Sequence, residues 1–237
     1  MVRTVVVIPA LNPLKLIIDY VIKLKELNID KIIIINDGSD EKYNTIFKKL
    51  QSIEWCTVLD HKENLGKGRA LKTGFLYVLT QYKKVDSIIT VGAHGQHRIE
   101  EVGQILHHAE LFSDGIILGV RNFHTKDMPL ISTIGNKAAS VLFELFFHKR
   151  LLDTQTGLRC IPKQALPWLI KVKGEDFSFD TNMLVEALKR KVPIYEIPIG
   201  HARVKKNSIM FYDEITNAHK LIQQIITTYT RSKKQHE

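Results

Sequence analysis

A chain of 237 residues that is 44% hydrophobic has enough apolar side chains for a sizeable core. Its apolar runs are of strand length, shorter than the roughly 18 residues of a membrane-spanning helix, and two cysteines are too few for a disulfide framework. The net charge of +9 favours anionic partners such as nucleotide phosphates or anionic lipid, although a solvated basic surface explains it equally well. Because the sequence contains no DNA- or RNA-binding motif, we expect no nucleic acid among the partners.

The first 120 residues alternate between short apolar runs and amphipathic segments. Strands are predicted over 4–10, 30–37, 56–61, 86–91 and 114–120, and helices over 16–24, 43–50, 66–82 and 98–112. Uninterrupted apolar strands separated by helices are typical of an α/β fold with a mostly parallel sheet that helices cover on both faces. In such sheets ligands bind beyond the carboxyl ends of the strands.

The second half is less regular. Helices are predicted over 132–149 and 181–191, and strands after the polar turn "DTQTG" and over 193–199. From Tyr212 to Tyr229 an apolar stripe runs to Ile226, and a basic tail follows. We expect one domain over 1–210 and a C-terminal amphipathic helix with a basic tail over 211–237. That stripe suits packing on the domain, a homodimer, or contact with an anionic membrane surface.

Three loops follow the first three strands. In "IPALNP" Pro9 ends the strand, and Asn12 either meets a ligand or caps the next helix. In "NDGSD" Asp37 either shapes the turn or accepts hydrogen bonds from a sugar or base. In "NLGKGRALKTG" Lys67 and Arg69 lie at a helix start, where free N–H groups attract phosphate, although the pattern is not a P-loop.

A fourth loop, "GAHGQH", follows the run of β-branched residues that ends at Val91. The order of "VVVIPALN", "IIIINDGSD", "NLGKGRALKTG" and this loop resembles the family 2 glycosyltransferases, which use nucleotide sugars. The resemblance continues through "GVRNF", "MPLISTIGN", "DTQTGLR" and "FSFDTNMLVEALKRKVPIYEIPI" and covers roughly residues 3–200. "GQH" and "DTQTGLR" are similar to the dolichyl-phosphate mannose and polyprenyl-phosphate sugar synthases. The resemblance implies a GT-A fold, which is Rossmann-like.

The resemblance also implies roles for particular side chains. Pro9, Asn12 and Asp37 line the base and ribose pocket of a UDP- or GDP-sugar, with Lys67 nearby, and Arg121 of "GVR" faces the donor phosphates. Asp153 of "DTQTGLR" lies on the acceptor side, as the catalytic base or as the group that orients the attacking phosphate or hydroxyl. Arg159 of the same motif is either functional or part of a structural ion pair.

The loop after Val91 departs from the family pattern. Where the family usually reads Asp-x-Asp-Gly-Gln-His, and holds Mg²⁺ or Mn²⁺, this chain has Gly92-Ala93-His94-Gly95-Gln96-His97. Carboxylates suit hard cations, and imidazole suits transition metals better than Mg²⁺. Three hypotheses therefore stay open: a site that binds no metal, an altered metal site that uses His94 and Gln96, and a protonated His94 that neutralises the diphosphate directly.

We therefore expect a glycosyltransferase that transfers a sugar from a nucleotide diphosphate sugar to a lipid-phosphate or glycan acceptor, such as polyprenyl phosphate, in cell-surface glycan synthesis. The alternative is a catalytically degenerate relative that acts as a binding or scaffold subunit. Without a signal-peptide pattern after Met1, we expect a cytoplasmic protein, peripheral at the inner face of the membrane if its acceptor is a lipid.

Overall fold

A computed structural model describes residues 3–122, 130–200 and 226–227. Within these ranges the strands are Thr4–Ala10 (β1), Lys31–Asp37 (β2), Cys56–His61 (β3), Ser87–Thr90 (β4), Ile116–Val120 (β5), Arg159–Pro162 (β6) and Ile194–Pro198 (β7). The helices are Ile17–Leu24 (α1), Asn44–Gln51 (α2), Lys67–Gln81 (α3), Ile99–Leu111 (α4), Leu130–Phe147 (α5), Leu166–Leu169 (α6) and Ser178–Lys189 (α7).

The seven strands form one sheet in the order β3-β2-β1-β4-β6-β5-β7. Every neighbouring pair is parallel except the two that include β6, which runs antiparallel to β4 and β5. The predicted mostly parallel α/β sheet is therefore confirmed. The sequence did not predict the reversed direction of β6, which brings its first residue, Arg159, to the edge where the parallel strands end.

The sheet is buried on both faces because successive side chains of a strand point to opposite sides. Val5 and Val7 of β1 and Ile33 and Ile35 of β2 lie in one core, which α3, α5, α6 and α7 cover. The residues between them lie in the other core, under α1, α2 and α4. Apolar side chains therefore project from both faces of the sheet, as the uninterrupted valine and isoleucine runs of β1 and β2 predict.

Pro9 does not end β1, which continues to Ala10 and pairs Pro9 with Ile35 of β2. The register with β4 ends at Val7, so Pro9 lies where β1 is paired on one side only and a missing N–H is tolerated.

Of the predicted C-terminal helix, Ile226 and its neighbour are helical, and the rest lies outside the described residues.

In the part of the chain that the structure describes, none of the helices combines the length and the apolar character needed to cross a membrane.

Candidate active site

The loops named from the sequence meet at the carboxyl edge of the sheet. The β1–α1 and β2–α2 loops are joined through Asn12, whose backbone N–H donates to Ser39 Oγ at 2.9 Å and whose Oδ1 accepts from the Asp40 N–H at 2.9 Å. Asn12 adopts a left-handed backbone with φ of 49°. It does not cap α1, which begins five residues later after Leu16, so its side chain holds two loops together instead.

Asp37, the last residue of β2, fastens the next loop. Its Oδ1 accepts from the Leu65 N–H at 3.0 Å and its Oδ2 from the Gly66 N–H at 2.9 Å. His61 Nδ1 lies 2.7 Å from the same Oδ1, and the carboxylate is only 3% exposed. Asp37 therefore shapes the loop wall of the predicted nucleotide pocket through internal hydrogen bonds.

Gly38 makes the close approach of these two loops possible. It has a φ of +69°, and a Cβ on it would lie 2.2 Å from the backbone carbon of Glu63. The "NDG" turn and the loop after β3 are thus in direct backbone contact, which a residue with a side chain would prevent.

The cations at the start of α3 are already paired. Lys67 Nζ donates to Asp180 Oδ2 at 2.5 Å, and Arg69 Nε lies 2.7 Å from a carboxylate oxygen of Glu175. Asp180 is 4% exposed, and Lys67 also lies over the ring of Phe177. The predicted phosphate attraction at this helix start is thus moderated by two acids from the region of α7.

Arg121 and Asp153, predicted on the donor and acceptor sides, form a bidentate ion pair. Arg121 Nε donates to Asp153 Oδ2 at 2.7 Å and Nη2 to Oδ1 at 2.9 Å, while the Arg121 backbone N–H donates to Oδ2 at 3.2 Å. Asp153 is fully buried, and the Arg121 side chain is 14% exposed. Paired hydrogen bonds of this kind fix a guanidinium in one orientation.

Arg159 makes structural contacts. It is fully buried and donates to three backbone carbonyls, those of Thr154, Thr156 and Asp180, at 3.0, 2.9 and 2.7 Å. Burial lowers its pKa, and Asp180 counters that effect. The guanidinium thereby folds the "DTQTG" turn around itself and ties it to α7.

The turn at 92–97 is closed by its own glutamine. A Cβ on Gly92 would lie 1.9 Å from Gln96 Oε1, so the amide occupies the space where the family has a carboxylate side chain. Burial lowers the pKa of His94 below its ordinary value of 6.5, which disfavours the charged ring in the ligand-free chain. A protonated His94 that neutralises the diphosphate stays a prediction, because the negative charge of a bound diphosphate would raise that pKa.

His97 was not assigned a role from the sequence, yet it joins the two halves of the site. Its Nε2 lies 3.6 Å, and Lys67 Nζ 3.9 Å, from the position of a Cβ on Gly157 in the "DTQTG" turn. Burial first, and then the positive charges of Arg121 and Lys67, lower the pKa of His97 to about 3. A neutral imidazole therefore stands among the two ion pairs.

Asp180 is the other residue that the sequence reasoning left without a role. It pairs with Lys67 and lies 3.6 Å from Arg159 Nη2. The sequence feature that could have identified Asp180 is its place in "FSFDTN", in the first turn of α7, because a carboxylate buried among apolar residues needs a cationic partner.

A sheet of this kind, with its loops gathered beyond the carboxyl ends of the parallel strands, is typical of α/β proteins that bind a ligand at that edge. The model of the glycosyl transferase family 2 matches residues 5–162, and the chain belongs to this family. The predicted family, fold and glycosyltransferase activity are confirmed.

Relatives and solved structures agree with this assignment. A UDP-N-acetylglucosamine–dolichyl-phosphate N-acetylglucosaminyltransferase of Methanococcus voltae is 29% identical over 81% of this chain and 83% of its own length. A dolichyl-phosphate beta-glucosyltransferase of Dictyostelium discoideum is 27% identical over 73% of this chain and 55% of its own length. The structure of glucosyl-3-phosphoglycerate synthase from Mycobacterium tuberculosis with Mn²⁺, UDP and phosphoglyceric acid covers 96% of this chain and 78% of that one, with a TM-score of 0.73 and 13% identity.

The residues of this chain do not fit the divalent cation bound in that neighbour. Among residues 3–122 and 130–200 no group of three or more histidine, cysteine, aspartate or glutamate side chains is arranged to hold a metal ion. The turn itself offers two imidazoles, those of His94 and His97, and the amide of Gln96, whereas Mg²⁺ and Mn²⁺ prefer carboxylate oxygens.

Proposed function

We propose that this glycosyltransferase moves a sugar from a UDP-sugar, or from a GDP-sugar, to the phosphate of a polyprenyl phosphate in cell-surface glycan assembly. The observation that carries the proposal is the buried Arg121–Asp153 pair beside the 92–97 turn. It presents a fixed guanidinium at the carboxyl edge of the sheet, near His97 of the loop after β4. The named relatives, which act on dolichyl phosphate, support the lipid-phosphate acceptor.

In the proposed reaction an oxygen of the acceptor phosphate attacks the anomeric carbon of the donor sugar. The new carbon–oxygen bond forms as the bond to the donor diphosphate breaks, its electrons leave with the nucleoside diphosphate, and the configuration inverts. A phosphate monoester has its second pKa near 6, so it is mostly ionised at pH 7 and its attack needs no general base. Asp153 accordingly serves as a positioning residue that holds Arg121, and the enzyme supplies orientation and charge.

The fixed cations of the site would counter the charge of the donor diphosphate. Lys67, Arg121 and Arg159 face the two carboxylates of Asp153 and Asp180, which leaves the cluster with one excess positive charge. The low pKa of His97 keeps its ring neutral, so that it adds a hydrogen-bonding group and no charge. Pro9, Asn12 and Asp37 form the predicted wall for base and ribose.

A transfer assay tests the proposal. UDP-glucose, UDP-N-acetylglucosamine and GDP-mannose are each incubated with the full chain and dolichyl or undecaprenyl phosphate in detergent, with Mn²⁺ or with EDTA, and products are detected by mass spectrometry. We expect a glycosylated lipid phosphate from one donor. If UDP or GDP binds but no donor in the panel turns over, the scaffold alternative replaces this proposal.

Peripheral membrane contact and a homodimer belong to the same proposal. A lipid-phosphate acceptor lies in a bilayer, so the enzyme must reach the membrane surface to meet it. The predicted C-terminal stripe is one candidate for either contact, and apart from residues 226–227 it lies outside the described part of the chain.

A further inference from the structure

The half-buried carboxylate of Glu196 lies on β7 and binds backbone from a distant part of the chain. Glu196 points to the same face of the sheet as Ile194, two residues earlier, which lies in the core. Its Oε1 accepts from the Leu152 N–H at 2.6 Å, and the Asp153 N–H also donates to the carboxylate. Burial raises the pKa of Glu196, and these two N–H groups counter that effect because they favour the charged form.

Side chains from two elements hold the backbone on either side of Asp153. From α5, Asn136 Oδ1 accepts from the Thr154 N–H at 3.0 Å, and Asn136 Nδ2 donates to the Leu152 carbonyl. Together with Glu196 of β7, these contacts give each of three consecutive backbone N–H groups a side-chain acceptor. An irregular segment has no ladder of its own to satisfy such groups. The side chains of α5 and β7 therefore define the path of this segment.

Glu196 and Arg121 belong to one pair of neighbouring strands. β5 and β7 are parallel and hydrogen-bonded, and Glu196 lies opposite Leu118, three residues before Arg121. Arg121 directly follows β5. The same strand pair thus fixes the backbone from which Arg121 extends and the carboxylate that holds the backbone of Asp153.

The bidentate contact between Arg121 and Asp153 depends on this alignment. Arg121 donates to both carboxylate oxygens, at 2.7 and 2.9 Å. Two parallel hydrogen bonds require the guanidinium and the carboxylate to keep one relative orientation. A misplacement of about 1 Å in a group that orients a reaction can cost about 100-fold in rate. The acid of this pair comes from an irregular segment, so its position depends on the contacts that hold that segment.

We propose that Glu196 is a positioning residue of the transfer reaction. It holds the backbone of Asp153 where that carboxylate meets the guanidinium of Arg121, and it acts on the reaction through this pair. The inference rests on the proposed transferase and extends its site to a residue of β7.

Steady-state kinetics of the full chain test the proposal. Glu196→Gln keeps one acceptor oxygen but turns an NH₂ group toward the second N–H, so kcat should fall about tenfold; Glu196→Ala, which loses both acceptors, should fall about 100-fold. The KM for the donor, and the UDP affinity in calorimetry, should stay within about threefold, which also shows that the variants fold. Glu186→Gln is the matched control, because it makes the same change in a carboxylate that pairs with Arg190 at the end of α7. An unchanged kcat in Glu196→Gln and Glu196→Ala would overturn the proposal.

A cycle with Asp153→Asn separates positioning from a general loss of stability. If Glu196 acts through Asp153, adding Glu196→Gln to Asp153→Asn should lower kcat by less than about twofold, although the double variant unfolds at lower urea than either single variant. A further tenfold loss of kcat would mean that Glu196 contributes independently of Asp153, and would overturn the assignment.

The contact of Arg121 is also measurable without turnover. Its Nε–H signal in ¹H–¹⁵N spectra, assigned by its loss in Arg121→Gln, should exchange slowly with water because it donates to a buried carboxylate. The exchange should become at least about tenfold faster in Glu196→Ala and in Glu196→Gln, and stay unchanged in Glu186→Gln. Where Glu196→Ala does not fold, Glu196→Gln carries the measurement.

The two readouts separate this inference from the proposed function. Faster exchange of the Arg121 signal in the Glu196 variants, in a chain that transfers no sugar from any donor, would remove the transferase and leave the hold of Glu196 on the ion pair. Equal exchange in Glu196→Gln and Glu186→Gln would overturn the positioning role and leave the transferase proposal standing.

Discussion

The Arg121–Asp153 pair should be energetically coupled as well as close. Asp153→Asn keeps the shape of the side chain but leaves the guanidinium without its counter-charge in a site where the acid is fully buried. Removing one member of a buried pair costs about 3–5 kcal/mol. Because the Arg121 side chain is 14% exposed, water recovers part of that loss, and we expect the free energy of unfolding to fall by about 2–4 kcal/mol.

A double-mutant cycle measures this coupling. Asp153→Asn, Arg121→Gln and the double variant are unfolded in urea, and their free energies of unfolding are compared with that of the unaltered chain. Two charge-assisted hydrogen bonds join the side chains at 2.7 and 2.9 Å, which predicts a coupling of about 2–3 kcal/mol. Asp114→Asn is the control, because that exposed carboxylate accepts a hydrogen bond from Tyr195 and has no buried cationic partner to strand.

The same variants distinguish a positioning aspartate from a base. If Asp153 acts by holding Arg121, each single variant should lower transfer by a similar factor, and the double variant should be hardly worse than either. A coupling below about 0.5 kcal/mol, or a large loss of kcat in Asp153→Asn at unchanged stability and with Arg121→Gln fully active, would refute the reasoning.

Three other predictions follow from the same edge of the sheet. Calorimetry should give the same UDP affinity for the unaltered chain, within about twofold, in EDTA and in Mn²⁺. The double variant Gly92→Asp with His94→Asp should bind UDP more tightly when Mn²⁺ is added. Loss of UDP binding by the unaltered chain in EDTA would contradict the first expectation. Gly38→Ala should cost at least about 2 kcal/mol in urea unfolding, since its Cβ would overlap backbone at 2.2 Å with φ at +69°, while Gly103→Ala, 3.3 Å from a flexible leucine, should cost little. The pKa of about 3 for His97 lies below the ordinary 6.5, so the stability it confers is complete above pH 6.5 and is lost as pH falls toward 3. Between these pH values the free energy of unfolding should vary less steeply with pH in His97→Gln, by about 1.4 kcal/mol per pH unit, because one titrating group is gone. An unchanged pH dependence would contradict this prediction.

Most of the fold could be predicted from local features of the sequence. The alternating burial of β1 and β2 followed from uninterrupted valine and isoleucine runs, because a strand with apolar residues at every position must be covered on both faces. The order of loops then placed Asn12 and Asp37 at one edge. Neither prediction needed knowledge of contacts between distant parts of the chain.

The partners of the charged residues could not be predicted in this way. Arg121 and Asp153 are 32 positions apart, and Lys67 and Asp180 are 113 apart. Which carboxylate neutralises which cation depends on how α7 and the segment before β6 pack on the sheet, and no periodicity encodes that. Residues expected to face ligands from opposite sides therefore proved to bind each other.

The reversed direction of β6 has a consequence for how this enzyme can change. The parallel strands present the loops that follow them, whereas β6 presents the segment that precedes it, so the predicted acceptor residue Asp153 lies in a block of sequence separate from Asn12, Asp37 and Lys67. Everything between the end of β5 and the start of β6, including α5 and the "DTQTG" turn, forms one insert between adjacent strands of the sheet. Such an insert can diverge, or be exchanged with that of a relative, while the nucleotide half stays intact, which gives one protein scaffold a way to serve different acceptors.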